Sequence, residues 1–169
     1  MRVYEGLEGL EGLDMLSKIT ASIQIAATPE QVFDYTQDYG KRLSWDTFLR
    51  IAQLQGADKA ASGVKAWCVS KHGLGMETQY VSFNRPNVTA VKMTKGPFMF
   101  NTFAGSWKFD AAENSGTLVT FTYSWSLRFP FSLISPVLYR ILLSNVRKRL
   151  ADLKNCIERE IGMHHPVPA

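Results

Sequence analysis

Apolar residues recur at helical spacing through the last quarter of the chain. Ile134, Leu138, Leu142, Val146, Leu150, Leu153, Ile157 and Ile161 form one stripe over about seven turns. Arg147, Lys148, Asp152, Lys154, Glu158 and Arg159 fall away from it. A helix this long with one apolar face has to cover an apolar surface of matching length. In 169 residues, only an extended sheet is large enough to receive it.

The preceding residues supply such a sheet. From Thr47 the hydrophobic period is two, which is the side-chain period of a strand. Strands are expected over Phe48–Gln55, Val64–Lys71, Met76–Phe83, Val88–Lys95, Phe98–Phe109 and Thr117–Leu127. The breaks are 56–63, His72-Gly73, 84–87, Gly96-Pro97 and 113–116, each rich in the Gly, Pro or Asn that tight connections need. Consecutive strands with short turns predict an antiparallel meander. In the last strand Val119, Phe121, Tyr123, Trp125 and Leu127 share an apolar, inward face. Leu118, Thr120, Thr122, Ser124 and Ser126 share a mostly hydroxylated face that can meet water. Which face of Met76–Phe83 looks inward stays open, because both sets are mixed.

Near the start, Ile19, Ala21, Ile23 and Ile25 alternate and predict a strand with one buried face. Thr28-Pro29-Glu30 then offers an N-cap, a proline at the first helical position and an acid in the first turn. That helix should end near Asp38-Tyr39-Gly40, with a short second helical turn leading to Trp45-Asp46. Residues 1–17, with a repeated Gly-Leu-Glu triplet, read as a flexible extension. Residues 18–162 read as one domain and 163–169 as a tail.

Composition narrows the function classes. The net charge of +4 is not gathered into long runs, so no nucleic-acid partner is expected. Cys68 and Cys156 lie far apart without metal-ligand spacing; no disulfide framework, no metal and no cofactor is expected. Free thiols fit a cytoplasmic setting. Acidic residues interrupt the N-terminus where a signal peptide needs an apolar run. The stretch Phe129–Leu143 is too short for a membrane span and is broken by Pro130, Pro136 and Arg140.

The order strand, two short helices, six strands, long helix is that of a helix-grip fold, an α+β class in which a curved antiparallel sheet wraps a C-terminal helix. The sequence resembles the START-like (Bet v 1-like) superfamily, in its polyketide cyclase/dehydrase and lipid-transport branch. Ile25-Ala26-Ala27-Thr28-Pro29-Glu30-Gln31-Val32-Phe33 looks like that family's opening motif. Asp38 to Trp45-Asp46 looks like its Asp-to-Trp segment. Gly105-Ser106-Trp107-Lys108-Phe109 followed by Gly116-Thr117-Leu118-Val119-Thr120 looks like its late hairpin. The resemblance implies an apolar cavity between sheet and helix, holding lipids, isoprenoids, quinones or polyketides, with ring closure or dehydration in some members.

Ligand contact is expected from Trp45, Tyr80, Asn101, Phe103, Trp107, Phe121, Tyr123, Trp125, Leu138 and Leu142. Most are inward by parity, and apolar, aromatic walls with few polar groups suit a binding cavity. Gly105, between Phe103 and Trp107, would clear space there. Packing of a plain core accounts for part of the same set, and Trp45 reads first as an anchor for the second helix. For chemistry, Arg85, Tyr80 and Asn101 are the candidates, as groups that could assist enolisation. His72, His164 and His165 read as exposed turn and tail residues. Phe129, Phe131 and Leu133 could gate the cavity or give transient membrane-surface contact, beside Arg128, Arg140, Arg147, Lys148 and Arg149, which read as a solvated basic face. Three functions remain: carriage or sensing of a hydrophobic small molecule, a cyclase or dehydratase, and a protein-interaction module. Oligomeric state is left open.

Overall fold

Each stretch of period two forms a strand in the computed structural model, which describes residues 16–164. They are β1 (Ser17–Ile25), β2 (Leu49–Gln55), β3 (Lys65–Ser70), β4 (Gly75–Asn84), β5 (Val88–Lys95), β6 (Phe100–Ala111) and β7 (Thr117–Leu127). All pair antiparallel in one sheet of order β1-β7-β6-β5-β4-β3-β2. The chain therefore starts at one edge, crosses to the other and meanders back. The crossing is made by α1 (Pro29–Gln37) and α2 (Arg42–Trp45).

The corner into α1 follows from the sequence at Thr28. Its hydroxyl accepts from the Gln31 N–H at 3.4 Å, and the Gln31 side chain accepts from the Thr28 N–H at 3.0 Å. This reciprocal capping box satisfies two N–H groups that the first helical turn would leave without partners. On β7 the expected alternation holds, with Val119, Phe121 and Trp125 buried on the inner face. The hydroxylated face is tied to its neighbours by side chains. Thr122 reaches Thr20 at 3.1 Å, Thr120 reaches Ser22 at 2.8 Å, and Ser126, which is buried, reaches Thr102 at 2.8 Å. Cross-strand pairs of this kind fix register as well as meeting water.

After a 3-10 turn at Phe131–Ile134, α3 (Ser135–His164) lies across the sheet, packed chiefly over β1. Val146, Leu150, Leu153 and Ile157 are buried in one cluster with Ile19, Ala21, Ile25, Val119 and Trp125. The start of the stripe departs from expectation: Ile134 is exposed. Ile134 belongs to the 3-10 turn that precedes α3, so it falls outside the helical face that packs on the core. Helix α3 runs on to His164, past the expected domain end at 162. Residues 1–15 of the expected extension and 165–169 of the tail, His165 included, lie outside the described residues. Among the described residues no helix is long and apolar enough to cross a membrane.

Leu150 is wholly buried where α3 meets the sheet. Leu150→Ala should cost about 2–5 kcal/mol of stability, read by chemical denaturation. A loss below about 1 kcal/mol would mean that α3 is not seated on the sheet as described.

Candidate functional site

Between the concave sheet and the first half of α3 lies a cavity of about 230 Å³. Its wall on β6 and β7 is aromatic. Trp107 and Phe121 approach to 4.3 Å between ring centroids, Phe121 and Tyr123 to 4.6 Å, and Phe103 and Tyr123 to 4.8 Å. Gly105 sits directly opposite Tyr123 in the register, and a Cβ there would stand 3.1 Å from the Tyr123 ring. Glycine thus lets that ring lie against the β6 backbone. Met76, Thr78 and Tyr80 also line the cavity, which settles the inner face of β4. Glu77 points the other way, where Thr94 and Lys65 hold it at 2.7 and 3.1 Å. Leu138 and Leu142 of α3 close the cavity from above.

One end of the cavity is polar, and its groups come from three distant parts of the chain. Asp46, wholly buried just after α2, accepts from Arg42 Nε at 3.0 Å and from Arg149 Nη2 at 2.6 Å through the same oxygen, Oδ2. Arg42 also donates to the Thr36 carbonyl at 3.0 Å, and Arg149 donates to the Tyr123 hydroxyl. The Arg149 guanidinium lies 5.2 Å from the Phe121 ring centre, and that of Arg42 lies 4.7 Å from the Trp45 ring centre. Such stacking suits a planar, weakly hydrated cation. Burial pushes the Asp46 carboxyl up, but the two guanidiniums more than offset this and hold it below the usual carboxylate value. Beside this cluster Tyr80 donates to Gln37 Oε1 at 2.9 Å and stands 3.3 Å from the Tyr39 hydroxyl. Burial pushes the Tyr80 phenol well above its ordinary value, so it stays protonated at neutral pH.

The expected ligand contacts divide. Tyr80, Phe103, Trp107, Phe121, Tyr123, Leu138 and Leu142 line the cavity. Trp125 does not: it is fully buried behind the wall, near Tyr139 of α3. Trp45 stands behind Trp107, edge-on to it at 6.0 Å, as an anchor for α2. Asn101 is exposed, contrary to its parity. A bulge between Phe100 and Thr102 sets two β6 residues against one step of β7, so Phe100 turns inward in its place. Arg85 is also outside the cavity, paired with Asp34 on the surface through two hydrogen bonds of 2.7 Å. Of the chemical candidates, only Tyr80 reaches the cavity.

Arg42, Asp46 and Arg149 were not among the expected site residues. Arg149 is a correction, because it is buried, not part of a solvated basic face. Helical spacing carried the signal: Arg149 lies three residues after Val146 and four before Leu153, on the buried stripe. The rest of the basic set, Arg128, Arg140, Arg147 and Lys148, is exposed. Around the cavity mouth Phe98, Phe129, Leu133, Val137 and Ile141 are exposed as well, with Arg128 stacked 4.8 Å from the Phe98 ring centre. His72 is exposed at the rim. Among the described residues no three His, Cys, Asp or Glu side chains come together as a metal site would need.

Asp46→Asn would leave two buried guanidiniums facing each other without a counter-ion. It should cost about 3–5 kcal/mol in chemical denaturation at neutral pH. The sign of the pH dependence follows from the lowered pKa. The Asp46 contribution is fully present above its ordinary value of 3.8 and is lost as pH falls through the lower folded value. Wild-type stability should therefore drop in that acidic window more steeply than that of the variant; parallel curves would show that Asp46 does not carry the cluster.

A sequence profile described as polyketide cyclase / dehydrase and lipid transport matches residues 17–158. No curated protein matches the sequence significantly. Among solved structures, the aromatase/cyclase ZhuI of Streptomyces sp. R1128 superposes with a TM-score of 0.76 at 12% identity, over 90% of this chain and 100% of its own. The protein TTHA0849 of Thermus thermophilus does so with a TM-score of 0.73 at 17% identity, over 85% and 99%. A START superfamily protein of Mycobacterium smegmatis gives 0.71 at 11% identity, over 84% and 97%. At such identities the likeness is one of fold. The family profile spans most of the sequence, and with the helix-grip architecture it places the chain in the polyketide cyclase/dehydrase and lipid-transport family of START-like proteins.

Proposed function

We propose that this protein binds a hydrophobic small molecule in the cavity under α3 and carries or senses it. The observation that supports this most is the cavity itself, about 230 Å³ walled by Phe103, Trp107, Phe121 and Tyr123. An apolar cavity of about 150 Å³ is enough to take up benzene, so this one suits a larger flat or polyenoid ligand. The exposed apolar rim at Phe98, Phe129, Leu133 and Ile141 supports an exchange surface, open to transient contact with a membrane. Cys68 and Cys156, both free thiols, fit a cytoplasmic setting.

A second reading, a cyclase or dehydratase, is favoured by the polar end of the cavity, where Tyr80, Tyr123 and Arg149 meet the same space. Arg149 is a fixed cation there and Tyr80 a proton donor. Against it, these groups are engaged with one another and with Asp46 and Gln37, and His72, the one histidine lining the cavity among the described residues, is exposed at its rim. The interaction-module reading loses Arg149 from its basic face.

Titration with N-phenyl-1-naphthylamine, a neutral dye that brightens in apolar surroundings, tests the binding reading. One saturable site is expected. Val91→Phe, which puts a ring into the cavity from β5, should weaken it at least about tenfold, or about 1.4 kcal/mol, while leaving the fold intact. Unsaturable binding, or a Val91→Phe variant that binds as well as wild type, would place the dye elsewhere and reject the reading.

A further inference from the structure

The cavity is apolar along its walls and cationic at one end. Arg42 and Arg149 both form part of its surface, whereas Asp46, the carboxylate they share, does not. The guanidiniums therefore stand between the cavity and their counter-ion. These three groups carry two positive charges and one negative, and they are almost wholly removed from solvent: 7% exposed for Arg42, 4% for Arg149 and 0% for Asp46. A buried cation without a full counter-ion is unfavourable, and a low-dielectric setting strengthens the demand for an anion.

The donors are arranged accordingly. Arg149 gives one N–H to Asp46 and one to the Tyr123 hydroxyl, and its buried Nε–H has no partner among the described residues. Because the Tyr123 oxygen accepts from Arg149, the phenolic proton is left to donate. Tyr123 also faces the cavity. One end of an otherwise apolar chamber thus presents excess positive charge and a phenol O–H, with the unpartnered Arg149 N–H buried just behind that surface.

We infer that the ligand is an amphipathic anion, with an apolar body against Phe103, Trp107 and Phe121 and one anionic oxygen head, a carboxylate in the simplest case, against Arg149 and Arg42. The inference rests on the cavity-binding reading and adds the charge of what is bound. A neutral ligand leaves the excess charge unmatched, and a cationic one adds to it. A planar guanidinium is also the side chain best shaped for a carboxylate.

The test compares 2-naphthoate with 2-naphthamide, which share a ring system and nearly a shape but differ in charge at neutral pH. Each is titrated against N-phenyl-1-naphthylamine bound to the full wild-type chain. Naphthoate should compete at least about tenfold more strongly than naphthamide, about 1.4 kcal/mol. The preference should survive high salt, because a buried pair is little screened. Arg149→Met should abolish it, so that naphthoate and naphthamide compete equally on that variant. Should that variant not fold, Tyr123→Phe should narrow the preference, because a phenol donates a stronger hydrogen bond to a carboxylate than to an amide oxygen, and the wild-type comparison decides by itself. Equal affinities, tighter naphthamide, or a preference that high salt erases would overturn the inference while hydrophobic binding stands. Failure of the dye and both naphthalenes to bind would reject the cavity reading and the inference with it.

Discussion

The single carboxylate of Asp46 ties α2 to the middle of α3, 103 residues away in sequence. It follows α2, it takes one guanidinium from α2 itself, and it takes the other from the middle of α3. Through Arg149 it also reaches Tyr123 of β7. Hydrophobic packing presses α3 onto β1, but such packing has no direction and would tolerate sliding or rotation. Three charged groups that can be satisfied in only one geometry do not. Buried ion pairs contribute little net stability but can impose a unique arrangement. Here that arrangement sets the depth and the polar end of the cavity.

Helix α3 has two roles along its length. Val146, Leu150, Leu153 and Ile157 belong wholly to the core, whereas Leu138 and Leu142 pack at its edge and also roof the cavity. The roofing half begins after a 3-10 turn and carries exposed Val137 and Ile141, of which Ile141 also lines the cavity.

Much of the fold was legible because it depends on patterns local to the chain. Period two gave the strands almost to the residue, the Thr28 capping box gave the first corner, and the stripe gave α3. The cavity wall was legible for the same reason, since parity on β6 and β7 turns Phe103, Trp107, Phe121 and Tyr123 inward. Three features lay beyond that logic. Asn101 was misplaced because a bulge reverses parity without a marker such as glycine or proline at the site. Trp125 has the right parity but lies too far along β7, where α3 already covers the sheet. Asp46 and Arg149 are 103 residues apart, and no local pattern pairs them. Only the position of Arg149 within an apolar stripe hinted that its charge must be met inside.

These points combine into one account of a member of this family whose cavity selects for both shape and charge. On the binding reading proposed above, the aromatic wall supplies affinity without direction, and the guanidinium end supplies orientation. The most direct test is native mass spectrometry of the protein purified gently from the cells that make it. The account predicts the mass of the chain plus one small acid with an apolar body, released on denaturation. A retained neutral or basic compound, or a chain that is bare while its cavity still accepts a neutral dye, would contradict it.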